Sequence, residues 1–269
     1  MTVGNEVLAT EILRHGAYVC LRVPDEARRA AATSAIPRLA QRLGLCNEFE
    51  ARDGHPDEAI AFLRRVRATP AAIVDDDLLN ADAVVHVASK TAAPVAEFCA
   101  EATRLLGPAI KPQVLSGVVR PKNYTGAAMN NFAYAHAVAQ QPGAVAPNAF
   151  LVPMSKTRAW WAKDWMERHT YFLPRYDDAG RMVNEGHALA AAAGIACLMR
   201  RTYKHPAEPA PGGAYDFITY FECADADVPT FHAVCSALRD VTKNPEWSFV
   251  REGPTWHGRR VATWAELFA

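Results

Sequence analysis

Two segments of the chain share one order of apolar and polar positions. Residues 82–106 and 216–238 each begin with an aspartate, continue as a short strand pattern and then change to helical spacing. An aromatic residue, Phe98 or Phe231, lies in each predicted helix. A change from period 2 to period 3.6 is the pattern of a strand followed by a helix. The sequence therefore predicts two copies of one strand–helix unit.

Further strand and helix patterns surround both units. Strands are predicted at 16–23, 111–119, 148–154, 195–204 and 246–253, and helices at 25–43 and 176–194, while the pattern between 46 and 80 stays unassigned. The order β-α-β-β-α-β, present twice, is that of the ferredoxin-like arrangement. We therefore predict an α+β fold, a tandem ferredoxin-like repeat, with an N-terminal half at 1–130, a linker at 131–148 and a C-terminal half at 149–269.

Composition narrows the class of protein. The chain has 269 residues, half of them hydrophobic, with 29 basic and 29 acidic residues. The near-zero net charge gives no sign of a nucleic-acid surface. No apolar run is long enough to cross a membrane, and the first residues carry charges where a signal peptide needs an apolar core. We expect a cytoplasmic protein that acts on a small molecule, without a membrane or nucleic-acid partner.

The remaining chemical motifs are weak. The six cysteines contain no CxxC pair and are expected to be reduced, partly buried thiols. His232 and Cys235 are three residues apart, but no second pair completes a zinc site. The chain has no nucleophile elbow, Walker loop or dinucleotide-binding glycine motif.

His187 lies beside a run of small residues. In a helix over 176–194, this histidine shares a face with two alanines. In the strand that follows, Arg200 and Arg201 point to opposite faces. A neutral imidazole beside a flat apolar slot suits an iron porphyrin, and a guanidinium across from it suits an anion. On the local pattern alone, a histidine at the surface or satisfied in the core is the commoner explanation.

Four motifs occur in order along the chain and extend this interpretation. They are VVRPKNY at 118–124, PMSKTRAWW at 153–161, DFITYFE at 216–222 and VREGPTWHG at 250–258. Together with the spacing from His187 to Arg200, they resemble the chlorite dismutase family, heme b proteins made of two ferredoxin-like halves. The resemblance implies a fold of the dimeric α+β barrel type, heme b as cofactor and a homo-oligomer, often a pentamer.

Site residues follow from the same resemblance. It implies that His187 is the proximal iron ligand and Arg200 the distal arginine. The other residues that it assigns to the cofactor site are Trp160, Trp161, Tyr124 and Lys156. Arg201 is a rival for the distal role because it is adjacent in sequence.

The chain departs from the family in two places. The family has a glutamate behind the proximal histidine, but here Lys243 or Pro245 falls near its place, and Glu246 fits only with a small shift. Val152 stands where the coproheme decarboxylases of the family have a tyrosine, and Arg200 stands where they have a glutamine. Decarboxylation by the family mechanism is therefore not expected.

The resemblance implies a heme b-dependent oxidoreductase that acts on chlorite or another small oxidant. In the chlorite reaction, Arg200 would hold hypochlorite until dioxygen and chloride form. A weaker proximal ligand would instead suit a peroxidase-like oxidation or a biosynthetic step on an organic nitrogen compound. A non-catalytic heme carrier or sensor, and a chain of the same fold without heme, are the alternatives from other classes.

Overall fold

Within the part of the chain that the structure describes, the fold combines twelve strands with six α-helices. The computed structural model describes residues 15–22, 26–47, 49, 58–66, 78, 80–106, 113–119 and 146–269. The strands are β1 (His15–Leu21), β2 (Cys46–Asn47), β3 (Ala59–Arg65), β4 (Ala83–Ser89), β5 (Gln113–Val119), β6 (Asn148–Lys156), β7 (Arg175–Tyr176), β8 (Met182–Asn184), β9 (Met199–Lys204), β10 (Phe217–Cys223), β11 (Val250–Glu252) and β12 (Trp256–Val261). The helices are α1 (Glu26–Arg42), α2 (Ala92–Leu106), α3 (Arg158–Trp161), α4 (Trp165–Thr170), α5 (Gly186–Ala190) and α6 (Val228–Arg239). None of the helices in these described ranges is long and apolar enough to cross a membrane.

One sheet closes on itself at the centre of the molecule. Its strand order is β10-β9-β5-β1-β4-β3-β12-β6-β11, and β10 also pairs with β6, which completes a ring. The N-terminal half supplies β1, β3, β4 and β5 to this ring, and the C-terminal half supplies β6, β9, β10 and β12. The halves meet where β5 pairs with β9 and where β3 pairs with β12. This architecture confirms the predicted tandem ferredoxin-like fold.

The closed sheet divides the core into layers. Residues of both halves fill the enclosed side, among them Leu63, Leu115, Leu151 and Ile218. On the outer side, one apolar cluster lies under α1 and α2, and another lies under α6. The strands β4 and β10 are buried along their whole length because both of their faces are covered. Alternate residues of one strand therefore face two different environments, the enclosed side of the sheet and the outer side under the helices.

The two strand–helix units are confirmed, as are the predicted strands at 16–23, 111–119 and 148–154 and the helix at 25–43. The unassigned stretch between 46 and 80 contains β2 and β3. The predicted linker at 131–148 lies outside the described residues up to position 145, and β6 already begins at Asn148. The boundary between the halves stays a prediction.

The predicted helix at 176–194 is wrong over its first part. Residues 175–184 form a hairpin of β7 and β8, and α5 begins only at Gly186. The Asp177 carboxylate accepts the backbone N–H groups of Ala179 and Arg181 at 3.0 and 2.9 Å. Such a side-chain turn offers the backbone an alternative to helical hydrogen bonds.

Two predicted strands begin later than expected. The backbone N–H of Leu198 still donates to the carbonyl of Gly194 at 2.8 Å, so the turn continues and β9 starts at Met199. At 246–253, a 3-10 helix over Pro245–Phe249 precedes the short β11. The strand that closes the C-terminal half is β12, because it fills the gap between β6 and β3.

Candidate functional site

A cleft lies between α5, α6 and the outer face of β9 and β10. Its cavity volume is about 50 Å³, and the empty space in and around it, counted with the part that is open to solvent, is about 520 Å³. Among the described residues that line it, His187 and Arg200 are the polar ones. The others are small or apolar: Ala188, Ala191, Gly194, Ile195, Leu198, Phe221, Val234 and Leu238. The cleft thus offers apolar walls, one imidazole and one guanidinium.

His187 is held in place by the backbone around α5. The N–H of His187 donates to the carbonyl of Tyr171 at 3.1 Å, and the next N–H donates to that of Phe172 at 3.1 Å. Gly186 precedes the histidine with a φ of +65°, and a Cβ atom there would lie 2.4 Å from the carbonyl oxygen of Leu173. Only glycine combines this backbone conformation with so close an approach.

A buried carboxylate supports the imidazole. Glu246 Oε2 lies 2.7 Å from Nδ1 of His187, and the glutamate side chain is 5% exposed. When Nδ1 carries the proton and donates it to this carboxylate, Nε2 keeps its lone pair for a metal. Glu246, which fits the family's place for this acid only with a small shift, is therefore the residue that supports the imidazole. Lys243 and Pro245 also fall near that place in the sequence. The carbonyl of Lys243 instead accepts backbone N–H groups at the start of α5.

Lys156 lies behind this pair. Its ammonium group forms an ion pair with Oε1 of Glu246, with the lysine side chain 4% exposed. The same Nζ atom lies 4.4 Å from the ring centroid of Trp160. Lys156 therefore contacts the supporting glutamate and is not among the residues that line the cleft.

The charges around Glu246 set its protonation. Burial raises the pKa of this carboxyl, but the nearby charges of Lys156 and His187 and their hydrogen bonds lower it by more. The net pKa lies well below the ordinary value. Glu246 thus stays an anion across the physiological range and remains an acceptor for the imidazole N–H.

The adjacent tryptophans stand apart from the cleft. Trp160 is fully buried among the rings of Tyr171, Phe172 and Phe249. Phe172 in turn lies 5.3 Å from His187 between ring centroids, so the Trp160 cluster packs behind the histidine.

Trp161 has different partners from those of Trp160. The Trp161 indole N–H donates to Asp216 Oδ2 at 3.2 Å, and its ring stacks on Phe217 with centroids 6.1 Å apart. Neither Trp160 nor Trp161 is among the cleft-lining residues. Tyr124, the other aromatic residue assigned to the cofactor site, lies outside the described residues.

Strand alternation decides between the two adjacent arginines. Arg200 lines the cleft and is the cross-strand partner of Phe221, another lining residue. Arg201 points into the enclosed side of the sheet, where its guanidinium lies 5.9 Å from the ring centroid of Tyr220. Arg200 is therefore the arginine that shares a space with His187.

Two supporting residues were not foreseen from the sequence. Phe172 packs against the histidine ring from a position outside any regular element. Asp216 was assigned only as the start of a strand, but its buried carboxylate accepts the backbone N–H groups of Lys156 and Ala210, both at 2.6 Å. An aspartate directly before a mostly apolar strand was the available signal, since a buried carboxylate needs several donors.

The described residues contain no group of three or more His, Cys, Asp and Glu side chains arranged to bind a metal ion. All six cysteines are free thiols in the structure. Among the described residues that line the cleft, His187 is the one that can donate a nitrogen lone pair to a metal.

Comparisons with known proteins place this geometry in a known fold. No family model and no curated protein matches the chain. Among solved structures, a mutant chlorite dismutase from Candidatus Nitrospira defluvii is 18% identical with a TM-score of 0.66, over 98% of this chain and 97% of that chain. The chlorite dismutase of the same organism in complex with imidazole is 19% identical, with the same TM-score and coverage. A mutant in complex with cyanide is 19% identical with a TM-score of 0.65, over 98% and 96%.

These similarities define the fold class of the chain as a closed tandem ferredoxin-like sheet. The likeness extends over nearly the whole length of both chains. The chain has the fold of the chlorite dismutases, and the resemblance predicted from its motifs is confirmed at the level of the fold.

Proposed function

We propose that the chain binds heme b in the cleft, with Nε2 of His187 as the iron ligand, and acts as an oxidoreductase on chlorite or another small oxidant. One observation carries this proposal: His187 has a buried carboxylate on Nδ1 and shares its apolar cleft with the guanidinium of Arg200. Heme is a flat, largely apolar group whose iron accepts a neutral imidazole. The small and apolar lining residues fit such a group, and the donor set fits its iron.

The supporting residues tune the imidazole. Glu246 fixes the tautomer of His187 and increases the basicity of Nε2, as hydrogen-bonded partners of metal-binding histidines do. Lys156 compensates part of the glutamate charge and keeps the carboxylate from taking the imidazole proton. The sequence alone left open whether an acid supports His187. The contact between Glu246 and His187 supports a strongly donating imidazole.

Arg200 supplies the charge for an anionic substrate. Bound heme supplies a redox-active iron with an open coordination position. The planar, positively charged Arg200 guanidinium can hold an oxyanion such as chlorite in the cleft and stabilise negative charge there. The likeness to chlorite dismutases agrees with this substrate class. We also propose, by that likeness, that the protein is a homo-oligomer.

The first experiment is a hemin titration of the purified protein followed by absorption. We expect a saturable Soret band at one heme per chain, which is lost in His187→Ala. The exposed His232 provides a matched control, and His232→Ala should bind hemin as the unchanged protein does. A band that survives in His187→Ala would contradict the ligand assignment.

Turnover assays then separate the enzyme from the carrier. Chlorite, peroxide and aldoxime substrates are tested with the heme-loaded protein and with Arg200→Ala. Turnover of chlorite that depends on Arg200 supports the proposed reaction. Stoichiometric heme binding without turnover of any of these substrates would instead indicate a heme carrier or sensor.

A further inference from the structure

The space enclosed by the sheet contains a cluster of three tyrosines and one histidine. Tyr18, His86, Tyr203 and Tyr220 come from four strands and are each at most 1% exposed. The ring of His86 lies 4.7 Å from Tyr18, 5.6 Å from Tyr203 and 5.8 Å from Tyr220 between centroids. Tyr18 lies 6.0 Å from Tyr220. The cluster is therefore continuous across both halves of the chain.

Two phenols of this cluster are hydrogen-bonded to groups that can take a proton. The Tyr203 hydroxyl lies 2.9 Å from Nε2 of His86. The Tyr220 hydroxyl donates to Oε1 of Glu222 at 2.5 Å, and Arg260 forms an ion pair with the same carboxylate. Apolar side chains would fill this space without the desolvation cost of buried charges. A buried polar network of this kind is consistent with a chemical role as well as a structural one.

The position of Tyr203 is closely defined. Gly16 on β1 leaves the space into which its ring fits, since a Cβ atom at Gly16 would lie 2.2 Å from that ring. The ring packs edge-on to Tyr18 with centroids 5.6 Å apart. The hydroxyl is thus held towards the imidazole of His86 by packing on its other sides.

One layer of backbone separates the cluster from the cleft. On β10, Phe221 lines the cleft and its neighbour Tyr220 points to the enclosed side. On β9, Arg200 lines the cleft, while Tyr203 lies on the enclosed side of the same strand. The strands that form the cleft wall therefore carry the cluster on their other face.

We propose that this cluster is an internal electron donor to the cofactor, with Tyr203 and His86 as the redox-active pair. The inference rests on the proposed function, because it needs heme in the cleft. With heme bound, hydrogen peroxide would take up two electrons and two protons and leave as two water molecules. Tyr203 would supply one of these electrons and the heme site the other.

The protons balance within the pair. When Tyr203 loses its electron, the phenolic proton passes to Nε2 of His86, which leaves a neutral phenoxyl radical and an imidazolium. An ordinary phenol has a pKa of about 10 and is therefore protonated at neutral pH. A hydrogen-bonded base is needed to take this proton at the moment of oxidation. One equivalent of a one-electron reductant from solution reduces the phenoxyl radical, and His86 returns the proton. A second equivalent would restore the heme site. The stacked rings of Tyr18 and Tyr220 exclude water from the radical.

The test is rapid-freeze electron paramagnetic resonance of the heme-loaded protein mixed with hydrogen peroxide. The protein is produced with ring-deuterated tyrosine or, separately, with ring-deuterated tryptophan. We expect an organic radical whose hyperfine splitting narrows with deuterated tyrosine and is unchanged with deuterated tryptophan. We also expect loss of this signal in Tyr203→Phe and a diminished signal in His86→Gln. The exposed hairpin tyrosine gives the matched control, and Tyr176→Phe should keep the signal.

Each outcome decides the proposal. A protein that binds hemin and consumes peroxide, but forms no tyrosine-derived radical or keeps it in Tyr203→Phe, overturns the electron-donor role and leaves the proposed function intact. Failure to bind hemin overturns both. If Tyr203→Phe does not fold, the labelling result in the unchanged chain still decides whether a tyrosine is oxidised, and His86→Gln tests the pair.

Discussion

Replacing Glu246 by leucine should lower both the stability of the protein and its affinity for heme, for two separable reasons. The side chains of Glu246 and Lys156 are 5% and 4% exposed, so the variant leaves a buried ammonium group without its carboxylate. Removing one partner of a buried ion pair costs about 3–5 kcal/mol. His187 also loses the acceptor of its Nδ1 proton, and loss of such a partner costs roughly 10–100-fold in metal affinity.

A double variant separates the two effects. Replacing both members of a buried pair by apolar residues is often neutral or stabilising. Lys156→Met combined with Glu246→Leu should therefore recover most of the stability lost in Glu246→Leu alone. The heme affinity should stay low, because the imidazole still lacks its carboxylate.

The measurements are urea unfolding of the heme-free protein, followed by circular dichroism, and hemin titration of each variant. A double variant as unstable as Glu246→Leu would show that the unpaired ammonium is not the cause of the loss. Unchanged heme affinity in Glu246→Leu would refute the supporting role of the carboxylate, whatever happens to stability.

Three further predictions concern the same site. Arg200→Ala should keep the Soret band of the heme-loaded protein and lower chlorite turnover about 10²–10³-fold, measured as oxygen release, whereas a wild-type rate would exclude the guanidinium from the reaction. Gly186→Ala should destabilise the protein by more than the roughly 1–3 kcal/mol of left-handed strain, because its Cβ also meets the Leu173 carbonyl. Gly180→Ala, with a φ of +74° and no neighbour within 4 Å, is its matched control, and equal urea midpoints for the two variants would contradict this reasoning. Because the pKa of Glu246 is lowered on folding, its contribution to stability is complete above its ordinary value of 4.5 and is lost as pH falls below that value. The urea midpoint should therefore fall more steeply in acid for the unchanged protein than for the double variant.

The local patterns of the sequence predicted the elements best where a strand pattern is followed directly by a helix pattern. The units at 82–106 and 216–238 alternate and then repeat as a strand and a helix do, and both were confirmed. The prediction failed at 176–184, where the side-chain turn at Asp177 replaces helical hydrogen bonds. It failed again near 246–253, where the apolar pattern belongs to a 3-10 helix and a short strand.

The candidate site was predicted in part. The motifs and their spacing indicated His187 beside small residues and an arginine on the following strand, and both line one cleft. They did not decide between Arg200 and Arg201, because the phase of a strand depends on where it begins. They did not establish Glu246 as the partner of His187, since the two residues are 59 positions apart and meet through an irregular segment.

The sequence by itself determined the two strand–helix units, the α+β class and the identity of the polar residues available to the cleft. These properties depend on interactions within a few residues, which periods of 2 and 3.6 report directly. Only the tertiary structure decided that the sheet closes, that Glu246 and Lys156 stand behind His187, and that Tyr203 meets His86 inside the ring. Those contacts join residues far apart in the chain, and strand pairing and packing across the whole sheet bring them together.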